Sequence, residues 1–324
     1  MSEPSHIAYE HAARPLSSRG KMGPVSETFG VPPALWEYQT TFRMPAGAAA
    51  TELLKGFDEH MNADPPPVGA AHPGVPLREV AGWRLSADVT VPAGEPPFPV
   101  LVYLHGGGWS MGSPWTHRRL AAELTGLGLV VVSVDYRRAP KHPFPAAVDD
   151  VAFAVDWARE NAATYGGDPG QLVIGGDSAG ANLAASVLAT GDSGVRAALL
   201  CYGVFDYHRM QAGMARLLGR PDPVSGRYLR PEEFDSLRGD PRLSPEVAAD
   251  RFPPTLVTVG ELDPLLPESE ALAARLAAAS VPHRLHVVPG APHGYLQLPT
   301  HPSRAEGIAV IADFLQEQGI KTER

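Results

Sequence analysis

From residue 98 onward, six short runs rich in Val and Leu recur: FPVLVYL (98–104), LGLVVVSVDY (127–136), QLVIGG (171–176), RAALLCYG (196–203), TLVTVG (255–260) and HRLHVVPG (283–290). They are continuous rather than alternating. A strand with one wet face alternates between apolar and polar residues, whereas a strand covered on both faces does not. These runs are therefore expected as strands buried on both sides. Helical patterns lie between several of them, at 115–126 (Trp115, Leu120, Leu124), 145–163, 180–190, 267–279 and 302–318. Strand–helix alternation of this length predicts an α/β fold, a mostly parallel central sheet flanked by helices. REVAGWRLSADVTVP (78–92) does alternate and is expected as strands at the sheet edge.

Two regions break the rhythm. Residues 1–76 are expected to form an N-terminal cap segment and linker. They hold one amphipathic helical pattern, AAATELLKGFDEHMN (48–62), with Leu53, Leu54, Phe57 and Met61 at helical spacing. ADPPPVGAAHPGVP (63–76) then reads as an extended connector. Residues 77–324 are expected as one α/β domain. Within it, the stretch at about 204–252 is too long and too mixed for a simple crossover and reads as an insertion with one or two helices. Together with the N-terminal region it is expected to form a helical cap over the C-terminal edge of the sheet, where ligands bind in open α/β sheets.

The 324 residues, 44% hydrophobic, suffice for one large core. A formal net charge of −9 argues against nucleic acid or an anionic membrane surface as the main partner. Cys201 is the one cysteine, so no intrachain disulfide can form; it is expected as a buried small hydrophobe. No apolar run approaches the ~18–20 residues of a membrane span. The opening MSEPSHIAYEHAARPLSSRGK lacks a signal-type apolar core, so a cytoplasmic location is the default expectation. A homodimer is the base-rate expectation for oligomeric state.

Gly176-Asp177-Ser178-Ala179-Gly180 lies between an expected strand and an expected helix. In that context G-x-S-x-G presents the serine on a sharp, strained turn, with glycine on both sides because the flanking residues crowd each other and the adjacent strands. The following helix sets its N-terminus beneath the serine, where the dipole favours developing negative charge. Alone, the pentapeptide also fits a tight turn with an incidental serine. Upstream, His105-Gly106-Gly107-Gly108-Trp109 follows the run FPVLVYL. Glycines at a strand end leave backbone N–H groups open to a ligand, and acyl transfer needs such donors for its tetrahedral oxyanion. Gly106, Gly107, Gly108 and Ala179 are thus the candidate oxyanion hole. Trp109 and Met111 are candidate pocket residues. Trp36, Phe42, Met44 and Phe57 are candidates for the cap's side of a pocket, or for plain packing of cap helices.

Downstream, Asp263 lies in GELDPLLPESE after the run TLVTVG, and His293 lies in VVPGAPHGYLQL after the last run. Ser178, Asp263, His293 is the chain order of α/β-hydrolases. A serine hydroxyl is a poor nucleophile until a base accepts its proton. Imidazole suits that role near neutral pH, and a carboxylate fixes its tautomer and stabilises the imidazolium. This chemistry requires no metal or organic cofactor, and none is expected. Other residues compete for these roles less well. His105 is expected to orient the glycine loop, His283 and His286 to be structural or surface, and Asp135 to anchor a loop. Asp177 is expected to point away from the histidine.

The motifs HGGGW, DYRRAPKHPFPAAVDD, YGGDPGQLVIGGDSAGANLAA, DPRLSP, GELDPL and HGY, in this order over about residues 98 to 297, resemble the bacterial hormone-sensitive-lipase-like esterases. These are α/β-hydrolases with an HGGG loop and a GDSAG elbow. The resemblance implies an α/β-hydrolase catalytic domain with a helical cap, Ser178 as nucleophile, His293 as base, Asp263 as its orienter, and Gly107, Gly108 and Ala179 as oxyanion donors, Gly106 shaping the loop. It implies a carboxylesterase acting on small to medium acyl esters. An acetylhydrolase or deacetylase, a lactonase or an amidase would use the same groups. Plant hormone receptors that resemble the family bind ligands without catalysis and lack the histidine, which this chain keeps. Three departures stand out. Ala181 replaces the usual glycine after the elbow, Arg138 and Lys141 replace the common Leu and Glu, and Pro267 stands where a second carboxylate is common, with Glu268 beside it.

Overall fold

The computed structural model describes residues 33–43, 60–191 and 194–322. Its strands are β1 (Ala70–Val80), β2 (Trp83–Val91), β3 (Phe98–Leu104), β4 (Val130–Asp135), β5 (Gly167–Asp177), β6 (Ala197–Cys201), β7 (Thr255–Gly260) and β8 (His283–Val288). The helices are α1 (Pro33–Thr41), α2 (Arg118–Thr125), α3 (Ala146–Asn161), α4 (Ala179–Thr190), α5 (Tyr207–Leu218), α6 (Leu266–Ala278) and α7 (Pro302–Glu317). One eight-stranded sheet runs β1-β2-β4-β3-β5-β6-β7-β8. The pairs β1/β2 and β2/β4 are antiparallel and all others parallel.

The continuous apolar runs serve two cores at once. Along β3, Val100, Val102 and Leu104 join Val148 and Val151 of α3 and Leu183 and Leu188 of α4. The intervening Leu101 and Tyr103 join Leu120 and Leu124 of α2 and Ile311, Phe314 and Leu315 of α7 on the opposite face. Burying each such leucine or valine contributes about 1.5–3 kcal/mol. The sixth run departs from the expectation. β8 pairs only with β7, closes the sheet, and is half-buried over most of its length.

The expected connector ends earlier than residue 76. β1 begins at Ala70, so the boundary between residues 76 and 77 falls inside a strand. Pro73 and Pro76 are tolerated because β1 is an edge strand, and its register shifts between His72 and Val75 and between Pro76 and Arg78. Ala81 and Gly82, at φ 49° and 70°, close the hairpin to β2. The helical pattern at 48–62 lies outside the described residues except for its last three; of these, Met61 is buried.

The insertion after β6 holds one α-helix, α5, and short 3₁₀ turns at Ser225–Arg227, Pro231–Glu233 and Pro245–Arg251. Asp206 caps α5, its carboxylate accepting from the N–H groups of His208 and Arg209 at 3.0 and 3.1 Å. Glu268 clamps the root of the insertion to α6. It accepts from the N–H groups of Phe205 and Asp206 at 3.0 and 2.9 Å, and from the Arg209 guanidinium at 2.7 and 2.9 Å. That guanidinium also reaches Glu246 at 2.8 and 2.6 Å. Burial pushes the Glu268 carboxyl up, opposed by Arg209 and the two N–H donors. Pro267 is exposed in the first turn of α6, where a missing N–H costs nothing. Among the described residues no helix is long and apolar enough to cross a membrane.

Helix α4 approaches the end of β3 without room for a side chain. A Cβ on Gly180 would stand 2.0 Å from the Leu104 carbonyl oxygen and 2.7 Å from that of His105. Gly213, inside α5, has open space around its Cβ position. Gly180→Ala should therefore lower stability by about 3 kcal/mol or more, while Gly213→Ala should raise it by roughly 0.5–1 kcal/mol through helix propensity. Urea denaturation of both variants measures the contrast, and equal effects would remove the packing argument.

Candidate active site

Ser178 sits between β5 and α4 at φ 53°, ψ −117°, a backbone conformation rare for any residue but glycine. Its N–H donates to the Cys201 carbonyl at 2.9 Å, which ties the turn to the end of β6. Ser178 occupies the N-cap position of α4, yet its hydroxyl caps nothing. The hydroxyl instead meets His293 Nε2 at 3.0 Å. His293 Nδ1 meets Asp263 Oδ2 at 2.8 Å, and Asp263 Oδ1 accepts from the Leu265 N–H at 2.7 Å. Because the carboxylate only accepts, Nδ1 carries the proton and Nε2 presents a lone pair to the serine. Asp263 and His293 are buried. Three residues distant in the sequence thus form one unbroken relay.

His293 is braced on both sides. Its ring stands edge-to-face with Phe42 at 4.7 Å and with Tyr202 at 5.2 Å between centroids. Its N–H donates to the carbonyl of Gln39 in α1 at 3.1 Å. The segment before the sheet therefore holds the loop that carries the histidine.

The glycine loop leaves the end of β3 with Gly107 at φ 125° and Gly108 at φ 57°. The N–H groups of Gly107, Gly108 and Ala179 pair with no acceptor among the described residues, and all three residues line one cavity with Ser178. Gly106 lines it too, but its N–H does not serve as a free donor: it is bonded to Asp177 Oδ1 at 2.9 Å. The same oxygen accepts from the Tyr103 hydroxyl at 2.6 Å and lies 3.3 Å from His117 Nε2. Burial alone would push the Asp177 carboxyl up; the His117 imidazole and these hydrogen bonds outweigh it and hold the carboxyl below its usual range. Asp177 thus points away from His293 and anchors the glycine loop.

His105 stacks on Tyr136 at 4.3 Å, its Nδ1 donating to the Gly106 carbonyl at 2.8 Å, while the Tyr136 hydroxyl donates to the His105 carbonyl at 2.7 Å. Asp135 pairs with Arg138 at 2.5 Å. His283 Nδ1 binds the Val281 carbonyl, and His286 pairs with Glu306 on the half-buried edge strand. Lys141 is exposed.

A cavity of about 370 Å³ opens over Ser178. Phe42 from the N-terminal segment, Met210 and Met214 from α5, and Val224 from the insertion form its cap side. Trp109 and Met111 line it from the glycine loop. Trp109, at φ 57°, is pinned by parallel stacking on Tyr228 at 4.6 Å. Met44 and Phe57 lie outside the described residues, as does the Trp36 side chain.

Sequence reasoning missed the residues that brace this site. Asn182 is buried in α4 and donates to the carbonyls of Val204, where the insertion begins, and Leu243, in its later part, at 2.9 and 3.3 Å. An amide inside an Ala- and Leu-rich helix was a usable signal. His117, Tyr103 and Gln39 carried none. Ala181 is fully buried, and a Cβ on Gly203 would stand 2.7 Å from its methyl. The glycine at 203 therefore makes room for the methyl that departs from the common pattern.

A family model described as the alpha/beta hydrolase fold matches residues 101–297. The carboxylic ester hydrolase LipN of Mycobacterium tuberculosis is 35% identical over 77% of this chain and 75% of its own length. The carboxylesterase NlhH of the same species is 35% identical over 66% of this chain and 73% of its own. Among solved structures, the thermostable carboxylesterase EstE1 from a metagenomic library superposes with a TM-score of 0.71 at 30% identity, covering 83% of this chain and 97% of that one.

Burial, and then the neighbouring His117, depress the His105 imidazole from 6.5 to about 3. The unfolded chain takes up that proton near 6.5, the folded chain only near 3, so the unfolded state binds more protons between those values. Stability should fall as pH falls through that window, by up to about 1.4 kcal/mol per pH unit from this residue. His105→Gln should flatten the acid-side loss in urea titrations between pH 7 and pH 4; an unchanged slope would show that His105 is not its source.

Proposed function

This chain belongs to the α/β-hydrolases, in their hormone-sensitive-lipase-like esterase branch, and on that premise we propose that it cleaves small to medium acyl esters through an acyl-serine intermediate on Ser178. The observation that carries the reading is the relay from Ser178 through His293 to Asp263, at 3.0 and 2.8 Å, opening on a cavity bordered by N–H groups that have no acceptor among the described residues.

The steps follow from the geometry. His293 Nε2 takes the Ser178 proton as Oγ attacks the ester carbonyl carbon. The N–H groups of Gly107, Gly108 and Ala179 receive the oxyanion. Asp263 holds Nδ1–H and stabilises the imidazolium. On collapse, the C–O bond to the alcohol breaks and His293 returns its proton to the departing oxygen. Water then gives a proton to Nε2 and attacks the acyl carbon. The second collapse releases the acid and restores the Ser178 hydroxyl.

At about 370 Å³ the cavity lies near the lower end of the range for small-molecule sites, which supports short acyl groups. With p-nitrophenyl esters, kcat/KM should peak at acyl chains of about four to six carbons and fall roughly tenfold or more for much longer ones. Ser178→Ala should lower kcat by about 10⁴-fold or more while the protein stays folded. Retained turnover in that variant would refute the assignment of the nucleophile.

A further inference from the structure

The cavity wall carries two aspartates, Asp177 and Asp222, and no lysine or arginine among the described residues. Asp177 is faced by the His117 imidazole at 3.3 Å. Asp222 lies in the insertion, and its oxygens accept from the Val224 N–H at 3.1 Å, the Ser225 N–H at 3.0 Å and the Ser225 hydroxyl. All of these donors are uncharged. They fix the carboxylate without cancelling its charge, and Asp222 forms no ion pair among the described residues. The 222–225 turn packs against the glycine loop, where the Ser110 hydroxyl donates to the Val224 carbonyl at 3.1 Å.

The wall also carries aromatic and thioether side chains, among them Tyr38, Phe42, Trp109, Met210 and Met214. Burial first, and Asp222 second, push the Tyr38 phenol up, so the carboxylate's field reaches α1 across the cavity. Low-dielectric walls extend the reach of an uncompensated charge. Aromatic faces accept an onium group, and methionine sulfur is polarizable. A net charge of −9 adds to the negative potential.

We propose that Asp222 makes this cavity select esters bearing an alkylammonium group over their neutral isosteres. The proposal rests on the esterase reading above and names a substrate class for it.

The test uses two shape-matched pairs, each a cationic ester and its neutral isostere, with the full-length protein. One pair is acetylcholine and 3,3-dimethylbutyl acetate, with the charge on the alcohol side. The other is ethyl 4-(trimethylammonio)butanoate and ethyl 5,5-dimethylhexanoate, with the charge on the acyl side. For each pair the ratio of kcat/KM, charged over neutral, is compared between the native protein and Asp222→Asn, which keeps an acceptor for the turn. In at least one pair the ratio should fall roughly tenfold in the variant, the neutral ester absorbing any general loss of turnover. In the native protein the same ratio should fall as salt is raised from low concentration to 0.5 M. Should Asp222→Asn misfold, Asp222→Ser is compared in its place. Hydrolysis of both pairs with ratios indifferent to Asp222→Asn and to salt would overturn the proposal alone. No hydrolysis of any ester, with no labelling of Ser178 by a fluorophosphonate, would overturn the esterase reading and the proposal with it.

Discussion

The closest constraint in the molecule is the meeting of the Leu104 carbonyl with the first turn of α4. A Cβ at Gly176 or Gly180 would stand 2.5 or 2.0 Å from that oxygen. Without side chains there, the end of β3 and the turn after β5 share one small volume. The glycine loop begins at the next residue, so this contact, with the bond from the Gly106 N–H to Asp177, places its N–H groups relative to Ser178. Ser178 is held at φ 53° in that volume, a strain of about 1–3 kcal/mol that persists because the surroundings over-determine it.

The cap is assembled around the same point from two parts of the chain. Buried polar clasps act beside apolar packing to fix its insertion against the sheet. Asn182 holds Val204 and Leu243, and Glu268 holds Phe205, Asp206 and Arg209. Each clasp joins a cap residue to a helix that adjoins the relay, α4 after Ser178 and α6 after Asp263. A buried donor left without its acceptor costs more than an apolar mismatch, so such clasps specify one position among many that packing alone would allow.

Much of this was legible in the sequence because it rests on local signals. Continuous apolar runs marked β3 to β7, and the glycines around Ser178 and after His105 marked the turns. What escaped notice depends on partners far along the chain. Pro73 and Pro76 read as a connector, since nothing local says that Ala70–Val80 will be an edge strand where a missing N–H is harmless. Glu268 read only as the carboxylate beside Pro267, since its role appears once Phe205 and Arg209 arrive beside it. His117 stands in no motif at all and becomes meaningful through one distance, 3.3 Å to Asp177. Gly106 read as the residue that shapes the glycine loop, and nothing local says that its N–H will be held by Asp177.

The bond from the His293 N–H to the Gln39 carbonyl has a consequence for how this protein can be altered. α1 both walls the cavity and holds the loop that carries His293. The shape of the cavity and the place of His293 are therefore written into one helix, and reshaping α1 for a bulkier ester is at the same time an intervention in the position of that imidazole. Met210 and Met214, on the insertion's side of the same cavity, carry no such bond. The two halves of the cap thus meet the site by different means: α1 holds the His293 loop through its backbone, whereas the insertion leans on the glycine loop through Tyr228 and Val224.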